Sequence, residues 1–101
     1  MQMIAHAGVA RGHAYHAIEQ AAAGDFAGAA AALAAADQEL KAAHREHLAS
    51  LAGEARGEQG APSLLLMHAE DQLMTAISER GLIEQIVGLY RRLDERGPGG
   101  S

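Results

Sequence analysis

The residues best suited to chemistry lie in the segment 64–76, which reads LLLMHAEDQLMTA. On a helix, steps of three, four and seven residues return to one face, so His68, Asp71, Gln72 and Thr75 would lie side by side. The chain contains no cysteine, so any nucleophile must be another side chain. A neutral imidazole is a competent nucleophile without a thiol. We therefore take His68 as the chemical centre of the chain.

This polar patch interrupts a surface built for burial. Its helical line begins with Leu64 and Leu65 and continues as an apolar stripe through Leu82, Ile86, Leu89 and Leu93. Burying a polar group without a partner costs roughly 2 to 7 kcal/mol on transfer scales, so the patch should have a compensating role. The other flank of the helix is also apolar, with Ala69, Leu73, Ala76, Ile83, Val87 and Tyr90. Two apolar flanks imply two partners, the chain's own helices and a second copy of the chain.

Length and composition favour one small domain that assembles with copies of itself. A single domain of 101 residues buries only about two-thirds of the surface that its unfolded chain exposes. Aromatic residues make up 3% of the chain and tryptophan is absent, so few large side chains are available for a core. These features raise the expectation of a homo-oligomer.

Several classes of protein are disfavoured. The formal charge of -5, with scattered basic residues, gives no electrostatic surface for nucleic acid. The N-terminus lacks the basic start and apolar centre of a signal peptide. The longest weakly apolar run, residues 27–36, is much shorter than the roughly 20 residues that span a bilayer. We expect a cytoplasmic protein that does not bind nucleic acid.

The apolar spacing predicts an all-α, up-down-up bundle of three helices in a single domain, 1–96. The predicted helices are about 2–23, 25–54 and 63–96, separated by the Gly24 turn and by the loop ARGEQGAP at 55–62, and followed by a disordered tail at 97–101. Asp25 and Ser63 are expected to cap the second and third helices. An alanine line on the first helix, Met3, Ala7, Ala10, Ala14, Ala17 and Ala21, would allow a neighbouring helix to approach closely.

Helix lengths place several histidines near one end of the bundle. Counted from the long loop at 1.5 Å per residue, His68 and His47 lie about 8 and 10 Å along their helices. Counted from the other turn, His6 comes level with His44. The sequence therefore predicts a cluster of His6, His44, His47, His68 and Asp71, with the rotation of each helix about its axis left open.

The segment HAEDQLMTA resembles the HAQDHLMTA motif of the lactose/cellobiose-type (lactose, cellobiose, chitobiose) IIA components of the bacterial sugar phosphotransferase system. AGVARGHAYHAIEQAAAGDF is similar to that family's first helix and its Gly-Asp-Phe turn, and AAHREH to its Ala-His-x-x-Gln segment. The resemblance covers nearly the whole chain with its spacing intact. It is therefore much more specific than a lone histidine.

This resemblance implies a phosphotransferase component that works only within a relay. His68 would accept a phosphoryl group from the phosphocarrier HPr and pass it to a cysteine of the IIB component during sugar uptake, reaching the membrane only indirectly through the IIC permease. The resemblance also implies a homotrimer with Asp71 at its axis, where it can bind a divalent cation. Three carboxylates around an axis would need a proton or a cation, and a hard cation such as Mg²⁺ suits oxygen ligands.

Three residues depart from the family's pattern. Gln72 stands where the motif has histidine, so it can donate hydrogen bonds but cannot carry a proton. Glu70 and His47 both stand where the family has glutamine. On a helix Glu70 points away from His68, whereas Gln72, His44 and His47 are candidates for supporting roles at the site.

A second hypothesis belongs to a different class of protein. The chain would then be a metal-binding or purely structural helical oligomer whose histidine layer holds a transition metal, with no phosphotransfer. No sugar is implied by either hypothesis, because a IIA component does not contact the sugar.

Overall fold

The computed structural model describes residues 2–57 and 63–97, and in these ranges the chain forms three helices and no strand. The helices are α1 (Gln2–Ala22), α2 (Phe26–Ala55) and α3 (Leu64–Arg96), packed into a rod of 62 × 17 × 16 Å. The predicted all-α three-helix bundle is confirmed. Most of the predicted loop, 58–62, and most of the predicted tail, 98–101, lie outside the described residues.

Local capping explains where α2 and α3 begin. Gly24 has a φ of +82°, which a side chain would disfavour, and this allows the chain to reverse after α1. The carboxylate of Asp25 then accepts a hydrogen bond of 2.8 Å from the backbone N–H of Gly28. The hydroxyl of Ser63 likewise accepts one of 2.9 Å from the N–H of Leu66. Both caps satisfy backbone donors that would otherwise lack a partner in the first helical turn.

The core is built largely from alanine. On α1 the predicted alanine line is buried along its whole length, at Met3, Ala7, Ala10, Ala14, Ala17 and Ala21. Small side chains bring the helix axes close together, so the core is thin. Near the start of α3 the larger residues Met3, Leu66 and Leu73 pack around Ala43 and Ala69. This cluster fixes the part of α3 that carries His68.

Two side-chain pairs define how α2 and α3 run past each other. Arg80 Nε donates to a carboxylate oxygen of Asp37 at 2.8 Å, and His47 Nε2 lies 3.0 Å from a carboxylate oxygen of Glu70. A step of ten residues forward on α2, from 37 to 47, therefore matches a step of ten backward on α3, from 80 to 70. The helices are antiparallel with a constant register between these pairs.

No helix in the described ranges is both long and apolar enough to cross a membrane.

Candidate functional site

The imidazole of His68 lies on the outside of its own subunit. It belongs to the second turn of α3 and is exposed, while its neighbours Leu66 and Ala69 are buried. Within the described part of the chain it has neither a hydrogen-bond nor an ion-pair partner. A second protein can therefore reach the ring, and the helix beneath it is held by the core.

The residues predicted to share a face with His68 do so. Asp71 and Thr75 are exposed and Gln72 is half-buried. The apolar stripe continues this face toward the C-terminus and is also uncovered: the exposed fractions are 65% for Leu82, 37% for Ile86, 56% for Leu89 and 63% for Leu93. A single chain thus leaves bare a surface whose composition favours burial.

A second bare apolar flank lies on the other side of α3, where it meets α2. Leu48, Met74 and Ile77 are 51%, 59% and 44% exposed along this seam. A groove in the seam is lined by Asp37, Leu40, Lys41, His44, Arg45 and Ile77. We call it the α2–α3 groove. The groove combines apolar side chains with the basic residues Lys41 and Arg45, whereas the stripe consists of leucine and isoleucine alone.

The predicted histidine cluster is wrong for a single chain. His6 Nδ1 lies 2.7 Å from a carboxylate oxygen of Glu39, and His47 pairs with Glu70 instead of approaching His68. His47 lies at about the predicted height along the bundle, close to that of His68, because it pairs with Glu70. However, α2 packs against the side of α3 opposite His68. The rings of His44 and His47 meet in an edge-on arrangement, with ring centroids 6.5 Å apart.

The described residues of one chain hold no group of side chains suited to binding a metal ion. Among residues 2–57 and 63–97, no three histidine, cysteine, aspartate or glutamate side chains are close enough to hold a metal ion. Asp71 supplies one exposed carboxylate on the face of His68. A cation at this position would therefore require the same carboxylate from further copies of the chain.

A network of three side chains that sequence reasoning missed joins α1 to the same face of α3. The hydroxyl of Tyr15 donates to Glu79, and Arg11 Nε lies 2.7 Å from the other oxygen of that carboxylate. These contacts lower the pKa of Glu79, the tyrosine hydrogen bond most strongly, although partial burial opposes the shift. Conversely, the carboxylate raises the pKa of Tyr15. The i, i+4 spacing of Arg11 and Tyr15 was the only signal in the sequence.

Comparison with known proteins gives consistent matches. Residues 1–91 match the family described as PTS system, Lactose/Cellobiose specific IIA subunit. The cellobiose-specific EIIA component of Lactococcus lactis is 40% identical over 93 residues, which cover 92% of this chain and 80% of that protein. The oligo-beta-mannoside-specific EIIA component of Bacillus subtilis is 39% identical over 90 residues, covering 89% and 82%.

The fold is also similar to that of a solved relative. The crystal structure of the cellobiose-specific enzyme IIA from Bacillus anthracis superposes with a TM-score of 0.89 at 36% identity. The match covers 95% of this chain and 88% of that one.

Proposed function

The chain belongs to the lactose/cellobiose-specific IIA family of the sugar phosphotransferase system, and we propose that its phosphoryl group is carried by His68. As a member of this family it is a phosphocarrier, a transferase component that works with HPr and IIB proteins. The observation that supports His68 is its exposed imidazole within the HAEDQLMTA motif, on a helix whose opposite face is anchored in the core.

The proposed reaction is a transfer between two protein side chains. A ring nitrogen of His68 attacks the phosphorus atom presented by phosphorylated HPr, so that an N–P bond forms while the bond from phosphorus to HPr breaks. In the second step a cysteine thiolate of IIB attacks the same phosphorus and His68 leaves as a neutral imidazole. Exposure of the ring suits this role, since two different proteins must reach it in turn.

The two bare apolar flanks support a homotrimer. A closed ring of identical chains uses two different surfaces of each chain, one meeting the other on the next copy. The stripe and the α2–α3 seam provide two such surfaces, and both are exposed in the single chain. Asp71 lies on the same helical face as the stripe, where three copies would approach a common axis.

A divalent cation such as Mg²⁺ fits this arrangement of Asp71. Three carboxylates brought together repel each other, and a hard cation with oxygen ligands removes that repulsion. We propose that the cation stabilises the trimer, while His68, with Gln72 beside it, performs the transfer. The same relay places the chain in the cytoplasm. It would reach the membrane only indirectly, through the IIC permease.

The alternative of a histidine layer holding a transition metal has less support, because the described residues do not gather three ligands in one chain. Phosphorylation by HPr, enzyme I and phosphoenolpyruvate distinguishes the two functions. The phosphocarrier gains one phosphoryl group on His68, whereas a structural metalloprotein gains none.

A further inference from the structure

Gly8 lies in the middle of α1, where the fold of the single chain has no need of a glycine. The backbone does not require one, because positive φ angles occur at Gly24, Gly57 and Gly97 and not at Gly8. Outside its own turn of helix, nothing lies within 4 Å of where its Cβ would be. Glycine weakens a helix interior more than any residue except proline. The bundle would therefore gain from a side chain here, so the use of the glycine lies outside the chain.

Gly8 faces the same surface as His68. It shares a face of α1 with Arg11 and Tyr15, which follow it by three and seven residues. Both of these side chains contact Glu79. Glu79 follows His68 by eleven residues, or about three turns, so these two lie on the same side of α3. The glycine face of α1 and the histidine face of α3 therefore border one surface.

Packing contacts also give the height of Gly8. Met3 belongs to the core cluster that contains Ala69, and Tyr15 meets its glutamate partner ten residues farther along α3. Twelve residues forward on α1 thus match about ten forward on α3, and the two helices are parallel. By this register Gly8 lies about 8 Å along the bundle from His68, at 1.5 Å per residue.

A notch therefore opens beside the imidazole. Its floor is the bare backbone at Gly8, and His68 and the half-buried Gln72 stand along its α3 side. The network around Tyr15 closes it toward the middle of the bundle. Leu65, which is 55% exposed and precedes the histidine by three residues, stands at the opposite end. We call this feature the α1 notch.

The proposed ring of copies leaves this side of His68 open. The ring covers the stripe on one flank of α3 and the α2–α3 seam on the other. The α1 notch belongs to neither surface, because α1 forms one of its walls. Two proteins must still reach the imidazole after assembly, and the notch gives them access.

The second step of the relay requires the closer approach of a protein backbone. A cysteine thiolate of IIB attacks the phosphorus, so that an S–P bond forms while the N–P bond breaks. His68, which carries a proton on its other nitrogen, leaves as neutral imidazole. The attacking and leaving atoms lie roughly in line through the phosphorus. Because a cysteine sulfur is only two bonds from its Cα, the IIB backbone must come close to α3, and glycine suits such an approach.

From these relationships we propose that the α1 notch is the docking surface for the IIB protein, where Gly8 admits the backbone that carries the cysteine. Tyr15, which is 48% exposed, and Leu65 offer apolar contacts at its two ends. Between residues 2 and 10 the chain has no aspartate or glutamate that would repel a thiolate. This inference rests on the proposed function, because it requires His68 as the phosphoryl carrier.

A side chain added at position 8 tests the docking surface. Gly8→Gln is phosphorylated, freed of HPr and mixed with a IIB protein of the lactose/cellobiose type, and the loss of the phosphoryl group is timed. Transfer to IIB is expected to slow at least about tenfold, with a smaller effect on phosphorylation by HPr. Ala22→Gln, on the same side of α1 but about 21 Å farther along it, is the matched control and should transfer at the wild-type rate.

Two measurements separate docking from damage to the fold or to the imidazole. Gly8→Gln should melt at or above the wild-type temperature, because the helix interior loses a glycine. Spontaneous hydrolysis of its phosphohistidine should match wild type. Gly8→Glu has nearly the same size but adds a charge that repels the thiolate. It should transfer more slowly than Gly8→Gln, and the difference should shrink at high salt.

The outcomes separate this inference from the proposed function. Transfer to IIB at the wild-type rate from Gly8→Gln would overturn the docking surface. Equal slowing of both steps would also overturn it, since the notch would then not be specific to IIB. A changed oligomeric state in light scattering would show that a second copy of the chain covers the notch, and would refute it too. If wild type takes no phosphoryl group on His68, the proposed function itself fails, and this inference with it.

Discussion

The side chains of His47 and Glu70 lie 3.0 Å apart and tie α2 to α3 two residues beyond His68. Both residues depart from the pattern of the family, which has glutamine at each position. The two departures therefore touch each other in this chain, as an imidazole beside a carboxylate. A half-exposed pair of this kind contributes at most about 1 kcal/mol, because solvent screens it.

A double-mutant cycle should detect the coupling of this pair. His47→Gln and Glu70→Gln are each expected to lower the free energy of unfolding by about 0.5 kcal/mol, since each leaves its partner without the contact. The double variant restores the family's two glutamines and should lose less than the sum of the single variants. Urea unfolding of all four proteins measures the coupling, and strictly additive losses would show that the pair does not interact.

The network around Glu79 should make stability depend on acid pH. Because Tyr15 and Arg11 hold the folded pKa of Glu79 below its ordinary value of 4.5, the stabilisation is complete above that pH and is lost as the pH falls through the folded value. Wild type should therefore be more stable than Glu79→Gln at neutral pH, and the difference should shrink in acid. The exposed Glu95→Gln serves as the control. A difference that is constant from neutral to acid pH would refute this account of Glu79.

The stripe should hold the trimer together without supporting the fold of the single chain. Leu89 is 56% exposed in the single chain, so Leu89→Glu is expected to leave the helical circular dichroism signal unchanged. It would, however, place a charge in the apolar interface between copies. Light scattering should report monomers for this variant. Val9→Glu, at a residue 47% exposed on α1, should remain trimeric. If the Leu89→Glu protein is still a trimer, the stripe does not form the interface between copies.

Asp71 should determine whether a divalent cation stabilises the assembly. Wild type is expected to melt at a higher temperature with Mg²⁺ than with a chelator, because the cation relieves repulsion among three carboxylates. Asp71→Asn lacks those charges and should melt at the same temperature under both conditions. Equal responses of wild type and Asp71→Asn to Mg²⁺ would exclude Asp71 as the ligand.

Much of the fold could be predicted because its signals are local. The caps at Asp25 and Ser63 and the buried alanine line on α1 depend on residues within a few positions of one another. The same applies to the face shared by His68 and Asp71, which helical geometry alone determines.

Contacts between helices were harder to predict, since they depend on how each helix is rotated about its axis. Helix length placed His47 at the right height, but its partner proved to be Glu70 on the far side of α3. His6 likewise pairs with Glu39 instead of joining a histidine layer. The contact between Tyr15 and Glu79 spans 64 positions of sequence, so no local pattern pairs these two residues.

The most direct test of the account is the site of phosphorylation. The chain should be incubated with HPr, enzyme I and phosphoenolpyruvate, and its intact mass and its peptides measured at alkaline pH, where phosphohistidine survives. The account predicts one phosphoryl group per chain, on His68, with none on His68→Gln and normal labelling of His16→Gln. A folded protein that gains no phosphoryl group, or carries it on another residue, would contradict the central role of His68.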